Sequence, residues 1–150
     1  METKALQRYL HEHIPLTAAM GVNVEHADES RVVLSAPLAP NINHRNTAFG
    51  GSIGAIATVA AWAWLHWHAA RFPFSVRLVV RSSRVEFLLP IEGDFTAICE
   101  RPPDDEIRGY EASLLRRGKG RIELHARLEQ GGQVCATFTG TFVAIRPDEP

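Results

Sequence analysis

Cysteine is scarce in this sequence, its charges nearly cancel and it has no long apolar run. Each of these shortages excludes a class of protein. Two cysteines in 150 residues, Cys99 and Cys135, cannot frame a disulfide scaffold. They fit a reducing compartment, and the cytoplasm is the expected location. A formal net charge of −1 gives no bulk field for nucleic acid and no polybasic membrane anchor. The stretch Thr47 to Leu65 is uncharged but contains Gly50, Gly51, Ser52, Gly54 and Thr58. A membrane span needs about 20 predominantly apolar residues, so this stretch reads as a buried helix. The first residues carry Lys4, Arg8, His11, Glu12 and His13 where a secretory signal would have its apolar core. No Cys-x-x-Cys occurs and the seven histidines show no metal spacing, so no metal and no cofactor are expected. His66 and His68 stand two apart and do not share a helix face. Ser52, Ser82 and Ser83 lack a Gly-x-Ser-x-Gly elbow, which argues against a serine hydrolase.

What is present is a balanced soluble chain. With 45% apolar residues it can bury its own core, and residues 1–150 read as a single domain. Thr3 reads as a helix N-cap, with Leu6, Leu10 and Ile14 at helical spacing and Pro15 as the stop. From Val22 the period becomes two, and Val22–Glu25 and Arg31–Ser35 around Asp28-Glu29-Ser30 read as a hairpin. Pro37 to Gly51 is loop. Ser52 to about His68 is apolar on nearly every side, as expected of a helix covered on all faces.

Ser75 to Leu89 and Phe95 to Glu100 then read as strands. A short amphipathic helix starts near Pro102, presents Ile107, Tyr110, Leu114 and Leu115, and stops at Gly118. Arg121 to Leu128 alternates strictly, Gly131-Gly132 turns, and Val134 to Ile145 returns. The prediction is an α+β domain: a curled six-stranded antiparallel sheet around one long central helix, with a short inserted helix. One sheet covers only one side of an all-apolar helix, so a second subunit is expected.

From about Ile14 to Ile145 the sequence resembles the hot-dog-fold thioesterases. It is most similar to a bacterial thioesterase family that also occurs as the C-terminal half of certain acetyltransferase fusions. The resemblance is carried by Ile14-Pro15-Leu16, by Asn41-x-Asn43-His44-x-x-Thr47-Ala48-Phe49-Gly50-Gly51-Ser52 and by Phe87-x-x-Pro90. In the wider superfamily an amide residue stands six positions before a His-Gly-Gly sequence, and a carboxylate eight positions after its first glycine. Asn43, Gly50 and Gly51 match that pattern, while Phe49 replaces the histidine and Thr58 the carboxylate. The resemblance implies thioester hydrolysis in a homodimer, with acyl-CoA or acyl carrier protein thioesters as the expected substrates; the charge and run lengths above already argue against nucleic acid and a membrane span. The missing carboxylate leaves a non-catalytic acyl-thioester-binding module as the alternative; a hydratase or dehydratase on the same fold is a third reading, weakened because the paired histidine and acid of that chemistry are not found.

The chemistry can be assigned by residue. Gly50 and Gly51 open the buried helix, whose first N–H groups lack internal partners and carry partial positive charge. Such a donor aimed at a carbonyl can be worth about 2.7–4 kcal/mol in the transition state; the alternative is a plain loop-to-helix turn. The Asn43 amide could hold water or the carbonyl, or brace its loop. Thr58 could orient water, or bond its own helix backbone. His44 and Phe49 are assigned to substrate contact; His44 could also supply the missing base, with an idle loop histidine as the alternative. Arg117, Lys119 and Arg121, in the densest positive run, suit coenzyme A phosphates, with a solvated turn as the alternative. Arg77 and Arg81, on one strand face, form a second cationic candidate.

Overall fold

A computed structural model gives the fold and describes residues 2–148. The chain opens with α1 (Thr3–His13), α2 (Pro15–Ala19), β1 (Asn23–Ala27) and β2 (Arg31–Ala36). A single 3-10 turn (Ala39–Asn41) and a loop lead to the long α3 (Gly50–Ala69). There follow β3 (Arg77–Phe87), β4 (Phe95–Glu100), α4 (Asp104–Arg117), β5 (Lys119–Gln130) and β6 (Gln133–Ile145). The strands form one antiparallel sheet in the order β1-β2-β4-β5-β6-β3, with α3 lying on its inner face. This is the architecture expected from the periodicity.

The start of the chain differs from the reading. The N-cap of α1 is Glu2, and Thr3 already lies inside the helix. Pro15 does more than stop α1: it occupies the first position of α2, where its missing N–H costs nothing.

Val32, Leu34, Ala97, Cys99, Leu124, Leu128, Phe138 and Phe142 bury themselves on the inner side with Ile56, Trp64 and Leu65 of α3. The strict alternation of β5 accounts for its share. Ile122, Leu124, Ala126 and Leu128 are buried while Arg121, Glu123 and His125 look outward. α4 packs beside the first half of β5, and Gly118 ends it in the left-handed region at φ 73°. Gly140 in β6 is spatially required, since a Cβ there would stand 2.7 Å from the Phe138 ring and 2.8 Å from that of Phe142.

Two surfaces remain only partly covered. Ala55, Thr58, Trp62 and His66 follow one stripe of α3 and are only half-buried, so the helix is not covered on all faces. Tyr9 of α1 stacks on Trp62 and His66, with 6.1 and 4.7 Å between ring centroids, and covers part of that stripe, while the sheet lies against the buried side of the helix. The second surface is β3, an edge strand of eleven residues in which only Leu78 and Val85 are even half-buried. Val79, Val80, Phe87, Leu88 and Leu89 are all exposed along and just beyond it. Among the described residues no helix is long and apolar enough to cross a membrane.

Candidate active site

The first backbone hydrogen bond of α3 runs from the Ile53 N–H to the Phe49 carbonyl, at 3.1 Å. The N–H groups of Gly50, Gly51 and Ser52 precede that bond, and no residue caps them with a side chain. The first turn holds no acidic residue to neutralise them. A helix end of this kind presents unspent donors and partial positive charge.

The walls around these donors are apolar. A Cβ at Gly50 would sit 3.5 Å from the Phe87 ring, and one at Gly51 only 2.4 Å from the ring of Phe49. Phe49 is 57% exposed and Phe87 59% exposed, so both rings stand at an open mouth rather than in the core. Glycine at 51 is what lets the Phe49 ring lie against the helix terminus. One turn further along, a Cβ at Gly54 would stand 3.9 Å from Val85 Cγ2.

The loop that delivers this terminus is tightly braced. The buried Asn41 donates from Nδ2 to the carbonyls of Met20 (2.9 Å) and Pro37 (2.8 Å), and its own carbonyl accepts from Phe49 N–H at 2.7 Å. Asn43 Oδ1 accepts from the N–H groups of Arg45 (2.8 Å) and Thr47 (3.1 Å). Its Nδ2 donates to Thr47 Oγ1 at 2.8 Å and only distantly to the Ala48 carbonyl, at 3.5 Å. Asn43 therefore fixes the turn before the helix and keeps one amide hydrogen weakly engaged. Asn46 completes the turn with φ 62°.

Thr58 Oγ1 donates to the Gly54 carbonyl at 2.8 Å. Eight residues separate it from Gly50, roughly 12 Å along the helix axis. His44 is exposed on the loop. The Cys99 thiol is pushed up to about 12 by burial, with Glu100 adding to the shift, and so stays protonated.

The other end of α3 is closed. His68 is fully buried, stacks on Trp64 with 5.0 Å between ring centroids and places Nε2 2.9 Å from Glu111 Oε1 on α4. Burial holds this imidazole below its ordinary value, against the opposing pull of Glu111.

Residues 3–146 match the family described as "Putative thioesterase (yiiD_Cterm)". The chain belongs to this family. A protein of unknown function from Chlorobaculum tepidum shares 28% identity over 97% of this chain and 94% of its own, with a TM-score of 0.89. A putative thioesterase from Shewanella oneidensis shares 27% identity over 95% of this chain and 96% of its own, with a TM-score of 0.84. A thioesterase from Haemophilus influenzae, 14% identical over 99% of this chain and 94% of its own, shares the hot-dog fold at a TM-score of 0.74.

Within this thioesterase family frame, the structure brings Asn43, Phe49, Gly50 and Gly51 together at the mouth of α3. It places Thr58 two turns away and puts Arg117, Lys119 and Arg121 around a separate cavity. Two neighbours of the glycines were missed by sequence reasoning, Val85 and Phe87. Phe87-x-x-Pro90 was part of the resemblance, but nothing local in it says that the ring faces Gly50.

Proposed function

We propose that the protein hydrolyses acyl thioesters of coenzyme A or acyl carrier protein as a cytoplasmic homodimer. The observation that carries this reading is the uncapped N-terminus of α3 opening between two exposed aromatic rings. The Gly50 and Gly51 N–H groups receive the thioester carbonyl oxygen, Phe49 and Phe87 flank the acyl–sulfur junction, and His44 lies at the rim. Water attacks the carbonyl carbon, the C–S bond breaks, and the thiolate leaves with the proton that water gives up. The loosely held hydrogen of Asn43 Nδ2 positions the water. No acyl-enzyme forms, since the Thr58 hydroxyl has no activating base and the buried Cys99 stays protonated.

The dimer follows from two features. The long exposed edge of β3 offers a row of free backbone groups to a second copy. Thr58, roughly 12 Å from Gly50 along its own helix, can meet a carbonyl at a glycine pair only if that pair belongs to the partner. A neutral hydroxyl lacks an activating base, so turnover is slow. A non-catalytic acyl-thioester-binding module is the second reading, supported by the bond that already occupies the Thr58 hydroxyl.

Thiol release from a panel of short and long acyl-CoA and acyl carrier protein thioesters is the test, with light scattering after size exclusion. Release above the uncatalysed rate and twice the chain mass are expected. Saturable binding of acyl-CoA with no release would favour the binding module. A clean monomer at micromolar concentration would rule out a shared site.

A further inference from the structure

Four cations converge on one cavity of the outer sheet face. Arg81, Arg117, Lys119 and Arg121 line it with Ser113 and Val143, around a volume of ≈ 600 Å³. The sequence builds it from three elements. Arg117 is the last residue of α4, and Gly118 then turns the chain into β5. Ser113 Oγ donates to the Lys119 carbonyl at 2.7 Å and Arg146 N–H to the Gly118 carbonyl at 2.8 Å, which pins the turn. A Cβ at Gly120 would stand 2.7 Å from the Tyr110 carbonyl oxygen, so strand and helix backbones are in direct contact here. Lys119 and Arg121 flank that contact on one face of β5, opposite Ile145 and Val143 of β6.

The fourth cation arrives through an irregularity. The pairing of β3 with β6 runs from Val80 opposite Phe142 directly to Ser82 opposite Thr141. Arg81 is the extra residue of a bulge, and a bulge re-aims the side chain that it carries. Here it adds Arg81 to the cavity that Arg117, Lys119 and Arg121 already line.

Some other arginines of the chain have acid partners, while Arg8, Arg31, Arg45, Arg77, Arg108, Arg116 and Arg146 stand singly without one among the described residues. Arg84 Nε lies 2.8 Å from Glu86, Arg101 Nη2 lies 3.1 Å from Asp104, and Arg127 reaches Glu100 at 3.2 Å and Glu129 at 2.9 Å. Among the described residues none of the four cavity cations has a carboxylate within 4 Å, and no acid lines the cavity. A helix C-terminus accounts for Arg117 alone, and protection of a sheet edge for Arg81 alone. Neither accounts for four cations around one recess, whose mutual repulsion an anion would relieve. At ≈ 600 Å³ the recess has the volume of a small-molecule site, which suits clustered phosphates on a small molecule better than the broad face of an acidic protein.

We infer that this cavity binds the phosphates of the coenzyme A carrier, and that Arg81 sets the preference for phosphorylated over unphosphorylated carrier. The inference rests on the thioesterase reading for the identity of the anion, and its test reads binding rather than turnover.

Isothermal titration with coenzyme A, 3′-dephospho-coenzyme A and pantetheine is the experiment, at low and high salt. Affinity should fall in the order given, and the coenzyme A term should weaken with salt. Arg81→Ala should weaken coenzyme A binding roughly fivefold or more, with Arg81→Lys recovering part of it, as expected of a charge-assisted phosphate contact. Arg77→Ala, on the same strand but outside the cavity, should leave the affinity unchanged. Unaltered coenzyme A binding by a folded Arg81→Ala protein overturns the inference, and so does equal affinity for coenzyme A and pantetheine. Inorganic pyrophosphate binding as tightly as coenzyme A overturns the carrier assignment. Thiol release by a protein that fails these tests leaves the thioesterase reading standing. Phosphate-dependent binding without thiol release sinks that reading and keeps the site.

Discussion

The two ends of α3 are built from the same apolar helix and are finished in opposite ways. At the C-terminal end His68, Trp64 and Tyr110 are buried, and a hydrogen bond to Glu111 ties the helix to α4. At the N-terminal end Gly50, Gly51 and Ser52 keep their N–H groups free, between two exposed phenylalanine rings. One end contributes rigidity and the other unspent hydrogen-bonding capacity. A helix anchored at its far end can hold open donors at the near end without reorganising them, which is the arrangement electrostatic stabilisation requires.

The largest expected effect breaks the anchored end. Trp64 is fully buried, and its Nε1 donates to the Glu29 carbonyl at 3.1 Å. Trp64→Ala should cost about 3–5 kcal/mol of stability, read by chemical denaturation. Phe49→Ala, at the open end, should change stability by no more than about 0.5 kcal/mol. Similar losses from both would erase the contrast between the ends.

Next comes the open end itself. Asn43→Ala should lower kcat by about tenfold or more, equivalent to about 1.4 kcal/mol of transition-state stabilisation. Circular dichroism of the same preparation separates this from unfolding. A folded, fully active Asn43→Ala protein would remove Asn43 from the site.

A pH titration sharpens the comparison from the closed end. Burial, opposed by Glu111, holds His68 below the ordinary histidine value of 6.5; Arg71 and Arg101 lower it further. Burial also lowers His66, helped by His13. The unfolded chain therefore takes up these protons first. Their contribution to stability is complete above pH 6.5 and is lost progressively as the pH falls below it. The melting temperature should drop between pH 7 and 5, and His68→Gln should flatten part of that drop. An unchanged slope in the variant would show that His68 does not report on the anchor.

The smallest effect concerns the hydroxyl midway along the helix. Thr58→Ala should cost less activity than Asn43→Ala, and Thr58→Asp should raise kcat by supplying a base. A Thr58→Asp protein slower than Thr58→Ala would separate this position from the reacting water.

Much of this contrast was legible in the residues. The alternation of β5, the stop at Gly118 and the uniformly apolar α3 each follow from local periodicity or backbone freedom. Asn43, Phe49, Gly50 and Gly51 lie within nine residues, so their grouping survived without tertiary information. What was not legible depends on partners distant in sequence. Glu111 meets His68 across 43 positions, and Phe87 reaches Gly50 only because β3 folds back beside α3. The bulge at Arg81 is a matter of register between two strands, and neither strand encodes it alone. Pro15 was read as a stop when it also starts α2, because a proline suits both a helix end and a first turn.

The exposed edge of β3 has a consequence for how activity scales. In the proposed dimer the Gly50 terminus of one copy and the Thr58 of the other make a single working site, so assembly and catalysis share one equilibrium. Mass action then governs the specific rate. Dilution below the dimer dissociation constant would lower turnover per chain, and the rate would rise with the square of protein concentration before becoming linear.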